Sequence, residues 1–212
     1  MYTGIVQAMC PLTFVERAPN LMRFGITLPS AIADEVTLGA SIAINGCCFT
    51  VTSMVEQAEG LAVTFDAIDE TQALTNVKHF EEGTLVNVER SAKQNAEVGG
   101  HVLSGHIIGT ATVSDIERDE NRCRMTFSAP SPWLKYVFEK GYVAVNGASL
   151  TVAALDRESA TFAINLIPET LERTNFSQLG VGDPVNIEVE SQTQVIVDTV
   201  ERVMAERFGE SG

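Results

Sequence analysis

Short segments of the chain alternate between apolar and polar residues, which is the pattern of β-strands with one buried face. Residues 41–45 lead into the dipeptide Asn45-Gly46, a strong signal for a hairpin turn, and residues 49–53 lead away from it. The same unit recurs around Asn146-Gly147. Further strands are predicted at residues 61–65, 86–88, 160–166 and 185–187. The pattern therefore predicts an all-β fold of short strands that close into small barrels or sandwiches.

The chain contains this pattern twice, with matching residues in the same order in both copies. Two matches have an offset of 101 residues, namely Thr3-Gly4 with Ser104-Gly105 and Asn45-Gly46 with Asn146-Gly147. Later matches have an offset of 99 residues, namely Glu70-Thr71 with Glu169-Thr170, Thr75-Asn76 with Thr174-Asn175, and residues 86–89 with 185–188. One two-residue deletion between Val152 and Glu169 accounts for both offsets. Two long copies indicate a duplicated domain rather than a solenoid.

Short helices are predicted at corresponding places in the two copies. Residues 30–36 and 131–138 precede the Asn-Gly hairpins, and two further segments follow the Glu-Thr pairs. Because threonine is a favourable N-cap residue, Thr71 and Thr170 are interpreted as caps of those later helices.

After the second copy the apolar residues recur at steps of three and four. They are Ile196, Val197, Val200, Val203, Met204 and Phe208. This spacing predicts an amphipathic helix over residues 191–208, and Ser191-Gln-Thr-Gln194 is a capping box for it. The helix has no counterpart after the first copy, so its apolar face must pack on the barrels or against other subunits. The predicted organisation is an N-terminal barrel over residues 1–97, a C-terminal barrel over residues 98–190 and this helix. The boundary falls in the polar segment 91–100.

Charge, hydrophobicity and cysteine spacing exclude several classes of partner and location. The net charge of −14 disfavours nucleic acid as a partner, because binding to phosphates depends on Lys and Arg. No apolar run reaches about 18 residues and the N-terminus has no signal-peptide pattern, so no membrane span is predicted and a cytoplasmic location is expected. The four cysteines, Cys10, Cys47, Cys48 and Cys123, have no C-x-x-C spacing, and we expect free thiols.

Common catalytic templates are missing from the sequence. There is no phosphate-binding loop, dinucleotide fingerprint, zinc-protease motif or nucleophile elbow, and the spacing of His101 and His106 does not suit a metal site. Instead, Cys48 and Thr50 share one strand face in the first copy, as Ser149 and Thr151 do in the second. His106 is a lone candidate base, whose counterpart in the first copy is Ile5. These residues predict two related pockets for one kind of small ligand, and no metal.

Five segments of the chain resemble the riboflavin synthase family of the alpha-chain type. They are residues 1–6 (MYTGIV), 39–51 (GASIAINGCCFTV), 99–106 (GGHVLSGH), 147–152 (GASLTV) and 166–174 (LIPETLERT). The resemblance covers essentially the whole chain. It implies two tandem six-stranded Greek-key barrels, a homotrimer formed through the C-terminal helix, and an active site between the N-barrel of one subunit and the C-barrel of the next. Asn146 stands where many relatives carry aspartate, and Tyr2 where phenylalanine is commoner.

The resemblance also implies the reaction. Two molecules of 6,7-dimethyl-8-ribityllumazine dismutate, and one gives a four-carbon unit to the other. The products are riboflavin and 5-amino-6-(D-ribitylamino)uracil, and no metal or redox cofactor is needed. An association with lumazine synthase is left open by the sequence.

Matching positions assign the substrate-binding residues. The N-barrel pocket is expected to contain Gly4, Ile5, Val6, Cys48, Phe49, Thr50, Asp66, Ala67, Ile68, Asp69, Glu70 and Thr71. The C-barrel pocket is expected to contain Gly105, His106, Ile107, Lys140, Ser149, Leu150, Thr151, Ile167, Pro168, Glu169, Thr170, Leu171 and Glu172. By hypothesis His106, helped by Thr151, accepts a proton from the C7 methyl group of one lumazine. Ser41, Cys48 and Ser149 are the candidates for the nucleophile, or for activating water, at C7 of the other.

The main alternative function is that of a non-catalytic antenna protein of the same fold, which holds one lumazine or flavin per chain. The second pocket retains Ser149-Leu-Thr151 and Ile167-Pro-Glu-Thr170, which favours the enzyme. A barrel-type flavin reductase would carry an Arg-x-Tyr-Ser motif, which this sequence lacks. A plain interaction module would have no use for two matched polar pockets.

Overall fold

Two closed antiparallel barrels and one long helix make up the computed structural model, which describes residues 1–93, 95, 97–120 and 122–208. The strands of the first barrel are β1 (Ala8–Ala18), β2 (Leu21–Pro29), β3 (Ser41–Ile44), β4 (Cys47–Gln57), β5 (Gly60–Ile68) and β6 (Leu85–Arg90). Those of the second are β7 (Gly109–Arg118), β8 (Cys123–Ser128), β9 (Tyr142–Val145), β10 (Ala148–Asp156), β11 (Thr161–Leu166) and β12 (Pro184–Val189).

Both barrels have the same topology. The order of hydrogen-bonded neighbours is β1-β2-β5-β4-β3-β6 in the first barrel and β7-β8-β11-β10-β9-β12 in the second. The predicted pair of six-stranded Greek-key barrels is therefore confirmed. The predicted boundary segment 91–100 contains Gln94 and Ala96, which lie outside the described residues.

Alternation of apolar and polar residues did not identify the first two strands of either barrel. The register of β1 against β2 shifts between Leu12 and Phe14, and that of β7 against β8 shifts between Val113 and Asp115. A bulge inserts an extra residue into a strand, so the period of two is interrupted inside the element. Pro11 within β1 weakens the strand signal further.

The helices lie where they were predicted, but two details of their capping differ. They are α1 (Ser30–Ala33), α2 (Asp69–Leu74), α3 (Pro168–Arg173) and α4 (Ser191–Phe208), with a 3-10 helix at Ser131–Tyr136 in place of the predicted helix over 131–138. Thr71 and Thr170 lie inside α2 and α3, so their interpretation as caps is wrong. None of the described helices is long and apolar enough to cross a membrane.

The N-terminus of α4 is capped by the residue before the predicted capping box. The carboxylate of Glu190 accepts hydrogen bonds from the amides of Gln192 at 3.1 Å and Thr193 at 2.6 Å. The cap is therefore Glu190 rather than Ser191, because a carboxylate can accept from both first-turn amides and also carries the charge that a helix N-terminus favours.

Each barrel encloses its own hydrophobic core. Four phenylalanines, Phe24, Phe49, Phe65 and Phe80, form the centre of the first core, with ring centroids 5.1 to 6.0 Å apart in the contacting pairs. In the second core, Phe127 and Phe162 stack at 5.2 Å. Two separate cores give the chain two rigid units on which a pair of sites can be built.

The two Asn-Gly hairpin turns meet at the seam between the barrels. Both residues of each turn have positive φ, namely 46° and 78° for Asn45-Gly46 and 44° and 79° for Asn146-Gly147. Such backbone angles match the tight hairpin turn that the sequence predicted. A Cβ atom on Gly46 would lie 2.6 Å from the amide nitrogen of Gly147, so only glycine allows the turns to approach this closely.

A network of six buried asparagines surrounds these turns: Asn45, Asn76, Asn87, Asn146, Asn175 and Asn186. The side-chain amide of Asn87 donates to the carbonyl of Asn146 at 2.9 Å, and that of Asn186 donates to the carbonyl of Asn45 at 2.9 Å. The bonds come in pairs, one from each copy, so the duplicated halves face each other across an approximate twofold axis. Asn146 is thereby a structural member of the seam.

Candidate functional site

Two related cavities lie where the two halves of the chain meet. The C-barrel pocket, of about 320 Å³, is lined by Gly4, Ile5, Val6, Ala148, Ser149, Leu150, Glu169, Thr170, Arg173 and Thr174. The N-barrel pocket, of about 300 Å³, is lined by Cys47, Cys48, Glu70, Thr71, Leu74, Thr75, Gly105, His106 and Ile107. The two linings correspond through the duplication, with Ser149 in the place of Cys48. Both volumes are in the range of small-molecule sites.

Each pocket takes one wall from the other half of the chain, which corrects the grouping predicted from the sequence. Gly4, Ile5 and Val6 were assigned to the N-barrel pocket, but they line the C-barrel pocket, and the side chain of Val6 packs in the C-barrel core. The segment of Gly105, His106 and Ile107 lines the N-barrel pocket instead, with Ile107 packed against the N-barrel core. The sequence-based grouping of these two segments is therefore wrong.

Backbone hydrogen bonds fix this exchange. The amide of Ser149 donates to the carbonyl of Gly4 at 2.8 Å, and the amide of Cys48 donates to the carbonyl of Gly105 at 3.0 Å. Each hydrogen bond joins a short backbone segment from one half of the chain to the edge of a pocket strand in the other half. The bond geometry is the same in the two halves, as the approximate twofold axis requires.

Two buried glutamates hold the exchanged segments in place. Glu89 accepts hydrogen bonds from the amide of Thr3 at 2.6 Å and from the amide of Gly4 at 3.0 Å. Glu188 accepts from the amides of Ser104 at 2.7 Å and Gly105 at 3.1 Å. Burial raises the pKa of both carboxyl groups, and these hydrogen bonds oppose that shift. The glutamates therefore fix the backbone of both pocket walls with charge-assisted bonds.

Cys48 presents the only half-buried thiol in the N-barrel pocket. Its sulfur accepts a hydrogen bond from the hydroxyl of Tyr2 at 3.1 Å. Burial, followed by this bond to Cys48, raises the pKa of the Tyr2 hydroxyl, which keeps it a hydrogen-bond donor at neutral pH. All four cysteines are free, as predicted, and burial against the first core raises the pKa of Cys47 to about 12.

Ser149 occupies the corresponding place in the C-barrel pocket, and its partner is an imidazole. The oxygen of Ser149 lies 2.6 Å from Nδ1 of His101. His101 is buried, and its ring stacks on Tyr142 with centroids 5.4 Å apart. Burial lowers the pKa of His101, which favours the neutral form of the imidazole. His101 has no counterpart in the first copy, so the repeat does not mark it, and its spacing to His106 was the only feature that the sequence offered.

Of the other predicted catalytic and substrate-binding residues, some line a cavity and others do not. His106 is exposed in the N-barrel pocket, where the hydroxyl of Ser104 accepts from its amide at 3.1 Å. Ser41, half-buried at the start of β3, and Lys140, exposed with φ of 64°, lie outside both cavities. Thr50 and Thr151 are exposed on the strand faces beside Cys48 and Ser149. The structure thus places His106 and Cys48 in the lining of one pocket, and His101 within hydrogen-bond distance of Ser149.

The helices α2 and α3 close the pockets on their other side. Thr71 and Thr170 line the cavities, and their carbonyls accept hydrogen bonds from the hydroxyls of Thr75 at 2.6 Å and Thr174 at 2.5 Å. Other predicted pocket residues do not line either cavity. They are Phe49 and Ala67, buried in the first core; Asp66, paired with Arg23; Leu171, packed against the second core; and the exposed Ile68, Asp69, Ile167, Pro168 and Glu172.

Comparison with known proteins identifies the family. Residues 3–91 and 104–190 each match the model of the lumazine binding domain. The chain is 44% identical to the riboflavin synthase of Escherichia coli (strain K12), over 98% of this chain and 95% of that protein. It is 37% identical to the riboflavin synthase of Chlamydia pneumoniae, over 97% and 98% of the two chains. The crystal structure of LumP complexed with riboflavin matches with a TM-score of 0.80 and 29% identity, over 90% of this chain and 100% of that one. The chain therefore belongs to the riboflavin synthase family, and each of its barrels is a lumazine binding domain.

Proposed function

We propose that this protein is a riboflavin synthase, a transferase that dismutates 6,7-dimethyl-8-ribityllumazine. One molecule gives a four-carbon unit to a second, which yields riboflavin and 5-amino-6-(D-ribitylamino)uracil. The observation that carries the proposal is the pair of related cavities, because a reaction between two copies of one molecule needs two similar sites. One lumazine supplies the carbon that the other accepts, so the proposed reaction requires no metal or redox cofactor.

The two cavities of one chain share no lining residue. Two flat rings must lie against each other to react, and holding them in that way is worth up to about 7–11 kcal/mol of the barrier. In the proposed active site, the N-barrel pocket of one subunit faces the C-barrel pocket of the next, as the resemblance to the riboflavin synthase family implies. This arrangement brings His106 of one pocket towards Thr151 beside the other, as the hypothesis of a His106 and Thr151 proton acceptor requires.

The helix α4 supports the proposal that the protein is a homotrimer. Asp198 tethers the helix to the C-barrel by accepting hydrogen bonds from the hydroxyl of Tyr136 at 2.6 Å and from Nζ of Lys135 at 3.1 Å. Despite this contact at Asp198, the apolar side chains of Ile196, Val200 and Met204 on the same helix are more than half exposed in the single chain. A helix with an unburied apolar face gains stability by packing against another subunit. We propose that α4 of each subunit packs at the trimer centre.

The proposed trimer assigns a role to each of the three segments of the chain. In the proposal, residues 1–97 and 98–190 are the two lumazine-binding units and residues 191–208 are the trimerisation helix. The first closing strand ends at Arg90 and α4 begins at Ser191, which supports these divisions. A cytoplasmic location belongs to the same proposal, and association with lumazine synthase stays a prediction from the family.

The alternative function is that of an antenna protein, because LumP has the same fold in complexes with lumazine and with riboflavin. Sequence identity favours the enzyme, since the riboflavin synthase of Escherichia coli is 44% identical and LumP 29%. Incubation of the protein alone with 6,7-dimethyl-8-ribityllumazine tests the choice. We expect riboflavin to form, with two substrate molecules consumed for each product molecule. Tight fluorescent binding of one ligand per chain without riboflavin formation would identify an antenna protein.

A further inference from the structure

The three candidate nucleophiles have different hydrogen-bond partners. The sulfur of Cys48 accepts a hydrogen bond from Tyr2, so its partner offers a proton rather than taking one. Among the described residues, no hydrogen bond to a base involves the hydroxyl of Ser41, whose carbonyl accepts from the hydroxyl of Ser91 at 2.7 Å. Ser149 alone has an oxygen next to a group that can accept its proton, namely Nδ1 of His101 at 2.6 Å.

The surroundings of His101 favour the neutral imidazole that this role needs. The ring is 8% exposed and lies against Tyr142. The charged group that acts on it is the carboxylate of Glu190, whose effect is smaller than that of burial. No described residue pairs with Nε2, so Ser149 is the partner that fixes the orientation of the ring. A neutral imidazole has one donor and one acceptor nitrogen, and the proposed role requires Nδ1 to be the acceptor of the Ser149 proton.

We propose that His101 is a positioning residue that makes Ser149, rather than Ser41 or Cys48, the nucleophile of the reaction. This inference rests on the proposed function. His101 does not line the C-barrel pocket, whereas Ser149 does, so the histidine acts through the serine. The short hydrogen bond turns the hydroxyl proton towards the protein interior and leaves the oxygen lone pairs directed at the cavity.

The proposed step conserves atoms and electrons. The oxygen of Ser149 forms a bond to C7 of the lumazine held in this pocket, and its proton passes to Nδ1 of His101. The π electron pair between C6 and C7 moves into the conjugated ring towards the C4 carbonyl oxygen. When the carbon–oxygen bond breaks later, the electron pair returns to the serine oxygen and His101 gives the proton back. The step needs no oxidant or reductant.

A double-mutant cycle tests the pairing. His101→Phe keeps a ring against Tyr142 but removes Nδ1, and we expect kcat to fall about 100-fold, with KM changed less than about threefold. In a Ser149→Ala background the same substitution should change kcat less than about twofold, because the residue through which it acts is gone. In a Cys48→Ala background it should again cost about 100-fold. Equal losses in all three backgrounds would overturn the proposal.

Two further variants separate positioning from packing. His101→Asn retains an amide oxygen near the place of Nδ1, and we expect it to recover part of the activity that His101→Phe loses. His79→Phe replaces an exposed histidine outside both pockets and serves as the matched control, with unchanged kcat. Failure of His101→Asn to exceed His101→Phe would contradict a hydrogen-bonding role.

A spectroscopic readout is independent of turnover. The chain has three histidines, so ¹⁵N NMR of histidine-labelled protein resolves the tautomer of each ring. We expect His101 to carry its proton on Nε2, and Ser149→Ala to change the Nδ1 signal. A proton on Nδ1 in the wild-type protein would overturn the proposal even if riboflavin is made. Absence of riboflavin formation by the wild type, with the expected tautomer, would instead reject the proposed function.

Discussion

The carbonyl oxygen of Gly4 accepts a hydrogen bond from the amide of Ser149 at 2.8 Å, and this contact joins the N-terminal segment to the pocket strand of the other barrel. Gly4 has φ of 76°, and a Cβ atom there would lie 2.5 Å from Cβ of Ser149. The position therefore needs glycine both for its backbone conformation and for space.

Gly4→Ala should destabilise the protein and weaken ligand binding at the C-barrel pocket. A left-handed conformation costs an L-residue about 1–2 kcal/mol and overpacking adds about 1–3 kcal/mol, so we expect a loss of about 2–5 kcal/mol in the free energy of unfolding. Urea denaturation and riboflavin titration measure the two effects. Gly39→Ala is the matched control, because Gly39 has φ of 83° but nothing within 4 Å of its added Cβ atom. A loss no larger than that of the control would contradict the close contact.

Asn146→Gly should reveal how much the asparagine network contributes. The Asn146 side-chain oxygen accepts from the amide of Asn186 at 2.8 Å and from the side-chain amide of Asn76 at 3.1 Å. Leaving buried donors without an acceptor costs about 1–3 kcal/mol each, so a loss of about 2–6 kcal/mol in the free energy of unfolding is expected for the two donors. Asn20→Gly, at an exposed residue with φ of 63°, should change it by only a few tenths of a kcal/mol. Similar values for both variants would mean that the network adds nothing.

Glu188→Gln should loosen the wall that carries His106. Both carboxylate oxygens of Glu188 accept from N–H or O–H groups, and the NH₂ group of glutamine would face one of these donors, at a cost of about 1–3 kcal/mol. We expect a lower free energy of unfolding in urea, whereas Glu56→Gln at an exposed position should leave it unchanged.

The difference in the free energy of unfolding between wild type and Glu188→Gln should change with pH in a definite direction. Because the pKa of Glu188 is raised in the folded state, the native protein binds more protons than the unfolded chain between the ordinary pKa and the raised one. Stability from this group therefore rises as the pH falls through that window. The difference in the free energy of unfolding between wild type and Glu188→Gln should increase towards acidic pH. A difference that decreases would argue against the raised pKa of Glu188.

His106→Gln tests the proposed base. The side chain is exposed in the N-barrel pocket, so its replacement should leave the fold intact while removing proton transfer, which contributes about 10²- to 10⁴-fold to a rate. We expect a fall of that size in kcat with little change in riboflavin affinity. His79→Gln should keep the wild-type rate. Full activity of His106→Gln would reject the assignment.

Val200→Glu tests the trimer by placing a charge on the exposed apolar face of α4. Burying an unpaired carboxylate in a subunit interface is costly, so we expect dissociation to monomers in light scattering, with loss of riboflavin formation. Thr199→Glu, at the neighbouring exposed position, should remain trimeric. Monomers that retain full activity would contradict a site shared between subunits.

The duplicated barrels could be predicted from the sequence because their signals are local. Asn45-Gly46 and Asn146-Gly147 mark the hairpins directly, and the amphipathic period marks α4. The hairpins β1-β2 and β7-β8 could not, because their turns lack an Asn-Gly pair and bulges interrupt the alternation of β1 and β7. Strands β4 and β10 also contain bulges, but the Asn-Gly turns before them mark these strands. The cap of α4 was misplaced by one residue, since Glu190 and Ser191 can both accept from first-turn amides.

The composition of each pocket depends on information that a repeated sequence does not contain. When two copies have the same pattern, a contact within one barrel and the equivalent contact across the seam look identical along the chain. Only the structure shows that Gly4 lies against Ser149 and Gly105 against Cys48. His101 was missed for the opposite reason, because a residue present in one copy leaves no repeat to notice.

Because each pocket takes one wall from the other half of the chain, one barrel alone does not complete a pocket. In a protein with a single barrel, the backbone bonds that complete each pocket would form only between two copies with exchanged N-terminal segments, so the two halves of this chain are arranged like the subunits of a symmetric homodimer. In such a dimer both pockets are identical by symmetry. A duplicated chain is free of that constraint, and here the pair Tyr2 and Cys48 differs from the pair His101 and Ser149. The chain can therefore give its two pockets different chemistry while the asparagine bonds at the seam stay nearly symmetric.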